Sequence, residues 1–404
     1  MAFLIAPSGF LARLVSPWLT GWDRPPDLLI IHDSYAMSMM AGLIAKEVPF
    51  LLLVTLAALP QVNAARIAQV TAGLGYGRMI GFARTILPPL YRQIRLPIFA
   101  VIAYSSSVVD VALILGPTTP PPLAVRIVEW QADPDLAMRF VAAAGAILQL
   151  GITIAALSVW WSAERLIACI VGAGVPSGWR GRNDAWARHA AAVAAALSAT
   201  AIVAGILILV IWSFAGFWRF PDLLPQTFGL KTWMRTLPVL TSVMGNAILI
   251  GFVSSLIATI LALGALEYES RAGTTPTIRA LVALYLPLLV PQIAFLFGLQ
   301  IVLTRFALDG TLAALVLAHL IFVFPYVLLS LADPWRSWDI RYARMGRALG
   351  HDANAIFWRI RLPMLTRPVL TAAAVGFAVS IGQYLPTLLI GAGRWPTITT
   401  EAVA

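Results

Sequence analysis

The chain has 404 residues, 60% of them hydrophobic and only 11% charged, with a mean hydropathy of +0.86 and a formal net charge of +10. So few charges cannot cover the surface of a water-soluble fold of this length, which excludes a globular soluble enzyme and places the chain in a bilayer. In a soluble protein +10 would suggest nucleic acid or anionic lipid as a partner, but here the basic residues sit mostly between apolar stretches, where membrane orientation accounts for them.

Stretches of about twenty apolar residues are needed to cross a hydrocarbon layer of roughly 30 Å. Eight are predicted, at 37–60, 96–116, 140–161, 190–215, 238–266, 281–304, 311–332 and 368–391. Internal prolines (Pro49, Pro287, Pro291, Pro325, Pro386) predict kinks, which membrane helices tolerate when neighbours satisfy the freed carbonyls. The segments 61–95, 162–189, 267–280 and 333–367 carry 5, 4, 2 and 7 arginines, against nine lysines and arginines on the opposite side. Positive loops stay inside, so these four are expected in the cytoplasm, with 1–36, 117–139, 216–237 and 392–404 outside.

The sequence also repeats itself. Asp33 matches Asp309 and Pro49 matches Pro325 at an offset of 276, and Gly75/Gly350, Pro88/Pro363, Ser105/Ser380 and Gly116/Gly391 match at 275. The expected organisation is the C-terminal part of a first half over 1–161, with the repeated loop at about 61–95, a Gly- and Arg-rich cytoplasmic linker over 162–189, and a second half over 190–404, with the repeated loop at about 333–367. The span at 140–161 has no partner in this register, because its equivalent falls beyond the last residue. The first residues would overlay the middle of span 281–304, while spans 190–215 and 238–266 have no counterpart in the first half. The expectation is therefore a piece of a longer chain of about twelve spans, its last helix missing. A parent reading frame with no hydrophobic sequence beyond either end would overturn it.

The second copy of the repeat reads GHDANAIFWRIRLP from Gly350 to Pro363, and the first reads GYGRMIGFARTILP from Gly75 to Pro88. Both resemble the EAA loop of binding-protein-dependent ABC transporter permeases, E-A-A, three residues, Gly, nine residues, then I-x-L-P. Ile360, Leu362 and Pro363 match that ending in the second copy; Leu87 and Pro88 match in the first, where Thr85 replaces the isoleucine. The E-A-A positions depart, being Arg344-Met345-Gly346 and Gln69-Val70-Thr71. The resemblance implies an all-α polytopic permease of an ABC importer, with two tandem parallel-repeat halves fused in one chain of the bacterial inner membrane. It also implies that Gly75, Leu87, Pro88, Gly350, Ile360, Leu362 and Pro363 belong to helices that dock on a separate ATPase subunit, and that an external solute-binding protein delivers substrate. The residues themselves predict a short amphipathic helix over 341–358, interrupted at Gly350 and ended by Leu362-Pro363.

No ATPase is encoded here, since a phosphate-cradling loop needs G-x-x-x-x-G-K-[ST] and the two lysines, Lys46 and Lys231, follow Ala45 and Leu230. Cys169 is the single cysteine, so an intrachain disulfide or CxxC site is ruled out. The four histidines and the carboxylates form no spacing that suggests a catalytic or metal site, and no cofactor is expected. Lys46, Glu47, Asp110 and His319 are ionisable groups at membrane depth and therefore functional candidates. Lys46 and Glu47 are adjacent, point about 100° apart on a helix and are expected to bridge to neighbours rather than to each other. Asp110, Ser105, Ser380, Gln383 and Tyr384 are candidates for a polar pathway, with helix packing as the competing role. A gradient-driven carrier is the alternative from another class, but it does not account for two loops with one Gly-to-Pro spacing.

Overall fold

The computed structural model describes residues 2–173, 180, 184–274 and 276–403. Among these the chain is helical, with no strand beyond an isolated bridge between Ala215 and Phe228. It divides into two compact units, Met1–Thr236 and Leu237–Ala404.

The first unit contains α1 (Ala2–Ile5), α2 (Phe10–Val15), α3 (Met37–Ala58), α4 (Ala64–Gly73), α5 (Arg78–Gly81), α6 (Leu87–Ser107), α7 (Asp110–Leu115), α8 (Leu123–Ala132), α9 (Met138–Ala173) and α10 (Ala185–Phe214). Helices α9 and α10 both run into the stretch expected as a linker, 162–189; residues 174–179 and 181–183 of that stretch lie outside the described residues. Helix α10 packs within this unit, with Trp212 5.3 Å from Phe3 and 4.7 Å from Trp218, and Arg13 stacked on the Trp218 ring at 4.7 Å. Helix α3 begins where Asp33 accepts hydrogen bonds from the backbone N–H of Met37 (2.7 Å) and Ser38 (3.0 Å), which satisfies two of the donors a helix start leaves free. Ala58, Val62, Leu90 and Ile94 form a small core where α3 ends and α6 begins.

The second unit holds α11 (Lys231–Ala272, starting within the first), α12 (Ile278–Leu289), α13 (Gln292–Arg305), α14 (Leu312–Arg336), α15 (Ile340–Ala348), α16 (Ala353–Ile356), α17 (Leu362–Met364), α18 (Thr366–Ile381), α19 (Leu385–Gly391) and α20 (Ile398–Val403). Its core joins Ala258, Ala262 and Leu266 of α11 to Val323, Val327, Leu331 and Trp335 of α14 and Ala372 of α18. Lipid is as apolar as leucine, so close van der Waals approach of small residues holds such helices together. A β-carbon on Gly376 would lie 2.5 Å from Val327 Cγ2, and the Ser255 hydroxyl donates to the Ala373 carbonyl at 2.8 Å.

Among the described residues five helices are long and apolar enough to cross a membrane, Met37–Ala58, Met138–Gly172, Ala185–Phe214, Lys231–Ala272 and Leu312–Arg336, and two bent pairs raise this to seven. Three of the eight expected spans are broken. The stretch 281–304 turns by 104° between its two helices: Pro291 pushes Val290 into an extended conformation. The stretch 96–116 breaks after Ser107, where Val108 is extended and the hydroxyls of Ser106 and Ser107 bond back to the Ala103 carbonyl at 2.8 and 3.0 Å. The stretch 368–391 breaks between Ile381 and Leu385, and Pro386 starts α19 instead of kinking a longer helix. The matched prolines Pro49 and Pro325 lie inside continuous helices.

Candidate coupling loops and membrane polar clusters

Each repeated loop starts with a helix whose orphan carbonyls are closed by the same turn. In the second, the N–H of Gly350 bonds the Arg347 carbonyl at 2.9 Å and that of His351 bonds the Gly346 carbonyl at 3.0 Å. In the first, Gly75 bonds Ala72 at 2.9 Å and Tyr76 bonds Thr71 at 3.1 Å, the same pairing 275 residues earlier. This pattern needs a left-handed residue just past the helix, and Gly75 (φ 79°) and Gly350 (φ 83°) supply it without a side-chain penalty. After the turn come α5 or α16, then a π-helical turn over Phe82–Ile86 or Phe357–Arg361, then the Leu-Pro that opens α6 or α17. The helix expected to end at Leu362-Pro363 instead runs on through it, because a proline in the first turn of a helical segment leaves no donor unpaired; the second loop bends, by 74°, only at Leu365, and the first continues directly into α6.

The loops are capped differently. In the second, Asp352 at the N-cap of α16 accepts from Ala355 N–H at 3.0 Å. Gly77 holds that place in the first and has no side chain to offer. Its carboxylate comes from Asp184, which accepts at 2.6 Å from the N–H of Met79, 105 residues earlier, while Gly77 N–H donates to the Arg180 carbonyl at 2.9 Å. The packing of the two helical arms is also exchanged. Thr71 faces Gly81 in the first loop, whereas Gly346 faces Ile356 in the second. One small and one large residue fill each contact, from opposite sides. Ile360 reaches the same contact, its Cδ1 3.1 Å from where a Gly346 β-carbon would stand, and Leu87 and Leu362 open the helices beyond. Among exposed apolar groups here, Met345, Leu349 and Trp358 stand out beside the arginines of the second loop.

Two polar clusters involve apolar helices, one in each unit. In the first, Lys46 of α3 donates to the Tyr104 hydroxyl of α6 and lies 3.7 Å from Asp110 Oδ2 of α7, while Tyr104 donates to Asp110 Oδ1 at 3.2 Å. Lys46 thus bridges to neighbouring helices as its position next to Glu47 predicted, and the pair keeps partial exposure, 47% and 23% at the side chains. Ser105 is half-buried on α6. In the second unit His319 Nδ1 lies 2.8 Å from Ser380 Oγ and Nε2 lies 3.1 Å from Thr387 Oγ1, and Gln383 Nε2 donates to the His319 carbonyl at 3.4 Å. These groups are buried among α14, α18 and α19, with Tyr384 half-buried at the start of α19. The geometry brings Ser380 and Gln383 together on His319, and sets Asp110 with Lys46. Sequence reasoning missed Tyr104, Thr387 and the Asp184 cap. The empty cap at Gly77, opposite Asp352 in the repeat, was the visible sign of the last.

The sequence is similar to those of known proteins. The family described as "Binding-protein-dependent transport system inner membrane component" matches residues 279–403. The chain is 31% identical over 407 residues to the inner membrane ABC transporter permease protein YnjC of Escherichia coli (strain K12), covering 100% of this chain and 71% of that protein. It is 28% identical over 138 residues to proteins of Mycobacterium bovis and Mycobacterium tuberculosis named molybdenum transport system permease protein ModB, covering 31% of this chain and 52% of theirs. The chain therefore belongs to the binding-protein-dependent ABC transporter permeases, multi-pass proteins of the inner membrane.

Proposed function

We propose that this permease forms the solute pathway of an ATP-driven importer and takes its motion from a separate ATPase through the loops at 64–90 and 340–365. The observation that carries the reading is the repetition of one backbone device, a left-handed glycine turn, a short helix, a π-helical turn and Leu-Pro, at a spacing of 275 residues. The glycine turn closes one end of each stub, and the other end runs on in helical conformation through the Leu-Pro pair, so a displacement of the stub is carried along a continuous helix. The arginine count assigns both loops to the cytoplasm, where an ATPase would meet them, and leaves the opposite face for a solute-binding protein. Lys46 and Asp110, paired but partly exposed, are the groups proposed to face the pathway; Ser380 and Gln383, enclosed with His319, are proposed as packing contacts.

The test is co-purification with the ATPase encoded beside the gene, comparing wild type with a Gly75→Val, Gly350→Val double variant. A β-branched residue at positive φ costs on the order of 1–2 kcal/mol per site and opens the turn. Loss of the complex from a protein that still inserts and melts cooperatively is the expected result. An intact complex in the double variant would show that the two glycine turns do not hold the ATPase, and no binding by the wild type would remove that ATPase as the partner.

A further inference from the structure

The last residue of the second π-helical turn, Arg361, does not point outward with the other arginines of its loop. It is 6% exposed and turned back into the unit. Its Nη1 donates to Glu267 Oε2 at 2.9 Å and to Ser270 Oγ at 2.8 Å, both on α11, and its Nη2 donates to the Trp335 carbonyl of α14 at 2.9 Å. The guanidinium carbon lies 4.4 Å from the Trp335 ring centroid and 4.9 Å from that of Trp338. Glu267 is shared, since Arg271 Nε also donates to it at 2.7 Å, and Arg271 Nη1 reaches Asn354 Oδ1 of α16 at 2.9 Å. A ring of contacts thus runs from the loop to α11 and back to the loop, with a branch to the end of α14.

The repeat supplies the comparison that gives this meaning. The position equivalent to Arg361 in the first loop is Ile86, which is 5% exposed and makes only apolar contact. An aliphatic side chain therefore suffices to build the π-helical turn and close it against its neighbours. A buried guanidinium is the costlier solution, because several kcal/mol of desolvation must be offset by its partners. What it adds is direction: a planar fork reads fixed partners on two helices at once, whereas apolar contact has no preferred direction and lets surfaces slide.

We propose that Arg361 is a positioning residue that locks the second coupling loop to the ends of α11 and α14, so that loop and membrane helices move as one body, while the loop closed by Ile86 is coupled more loosely. The proposal rests on the reading of both loops as the contacts of an ATPase.

Three variants of the full chain, reconstituted with that ATPase, test it: Arg361→Ile, which installs the residue of the first loop, Arg361→Lys, which keeps charge but loses the fork, and Glu267→Gln. The readouts are ATPase-subunit affinity, solute taken up per ATP hydrolysed, and amide hydrogen exchange over 353–361 in the permease alone. Arg361→Ile is expected to bind the ATPase within about twofold of wild type while uptake per ATP falls about tenfold, the scale of one charge-assisted hydrogen bond. Exchange over 353–361 should rise, with Arg361→Lys and Glu267→Gln in between. Wild-type uptake per ATP and unchanged exchange in Arg361→Ile would overturn the lock. Should Arg361→Ile fail to fold, the other two decide alone: unchanged exchange and coupling in both overturns it, and a graded loss in both supports it. Faster exchange with undiminished uptake per ATP also overturns it, since the contact then orders the loop without transmitting motion. Failure of the wild type to bind any ATPase is a different result, sinking the coupling reading while the exchange data still judge the lock within the fold.

Discussion

The two repeated loops share a backbone and differ in what secures it. The first, over 64–90, borrows its cap from Asp184 beyond α9 and closes its π-helical turn with Ile86; the second, over 340–365, caps itself with Asp352 and buries Arg361 on Glu267. The same conformation is reached by different side chains because the backbone hydrogen bonds and the left-handed glycine already specify the path. The side chains decide which neighbouring element the loop is fastened to. One loop is tied to the chain that joins α9 and α10, the other to the ends of α11 and α14.

The most damaging way to break the comparison is to move one residue of an exchanged contact without its partner. Gly346→Thr, which copies Thr71 into the second loop, would place a β-carbon 2.9 Å from Ile356 Cγ1 and 3.1 Å from Ile360 Cδ1. A loss of about 1–3 kcal/mol is expected from thermal or denaturant unfolding of the purified protein. Adding Ile356→Gly, the partner found in the first loop, should cost less than the two single losses combined, and strict additivity would show that the contact is not exchanged as described.

The borrowed cap comes next. Asp184→Ala should cost about 1–2 kcal/mol, because Met79 N–H is left without its acceptor, and should raise hydrogen exchange over 77–82 but not over 352–357. Asp352→Ala should do the reverse. Exchange rising in both loops for either variant would mean they do not behave as separately fastened elements.

The membrane clusters allow a smaller test of the same kind. Lys46, Tyr104 and Asp110 correspond in the repeat to Phe322, Val379 and Leu385, and His319, Gln383 and Thr387 correspond to Leu43, Val108 and Ala112. Each unit placed its polar groups where the other is apolar. Asp110→Asn is expected to change stability by less than about 1 kcal/mol, since its partner is half exposed, yet to alter uptake; unchanged uptake would remove Asp110 from the pathway.

The smallest expected effect is a pH dependence at the start of α15. The side chain of Arg341, donating at 2.7 Å, and the Arg341 backbone N–H at 2.9 Å hold the Asp339 carboxyl below the ordinary carboxylate range. A depressed carboxyl contributes stability above its unfolded pKa and loses it as pH falls through the folded value. Protection of the first α15 amides should therefore fall on acidification below the ordinary carboxylate range, and Asp339→Asn should remove that dependence while leaving residues 64–73 unaffected.

The sequence by itself determined the membrane class, the repeat and the glycine at which each loop must turn. Those features depend on composition, on glycine and proline, whose backbone restrictions act locally, and on spacing along the chain. It also located five continuous spans, because length and apolar content decide those. Proline marked the spans that bend near Val290 and Gly382, though not that the bends become full breaks; the break at Val108 was not legible, since serine back-bonding competes with an apolar run that looks continuous. Only the tertiary structure decided that Arg361 faces inward while Arg359 does not, that Asp184 caps a helix 105 residues before it, and that Lys46 meets Asp110 and Tyr104. Those are choices among partners distant in sequence, set by which helix ends pack together, and no local rule of spacing carries that information.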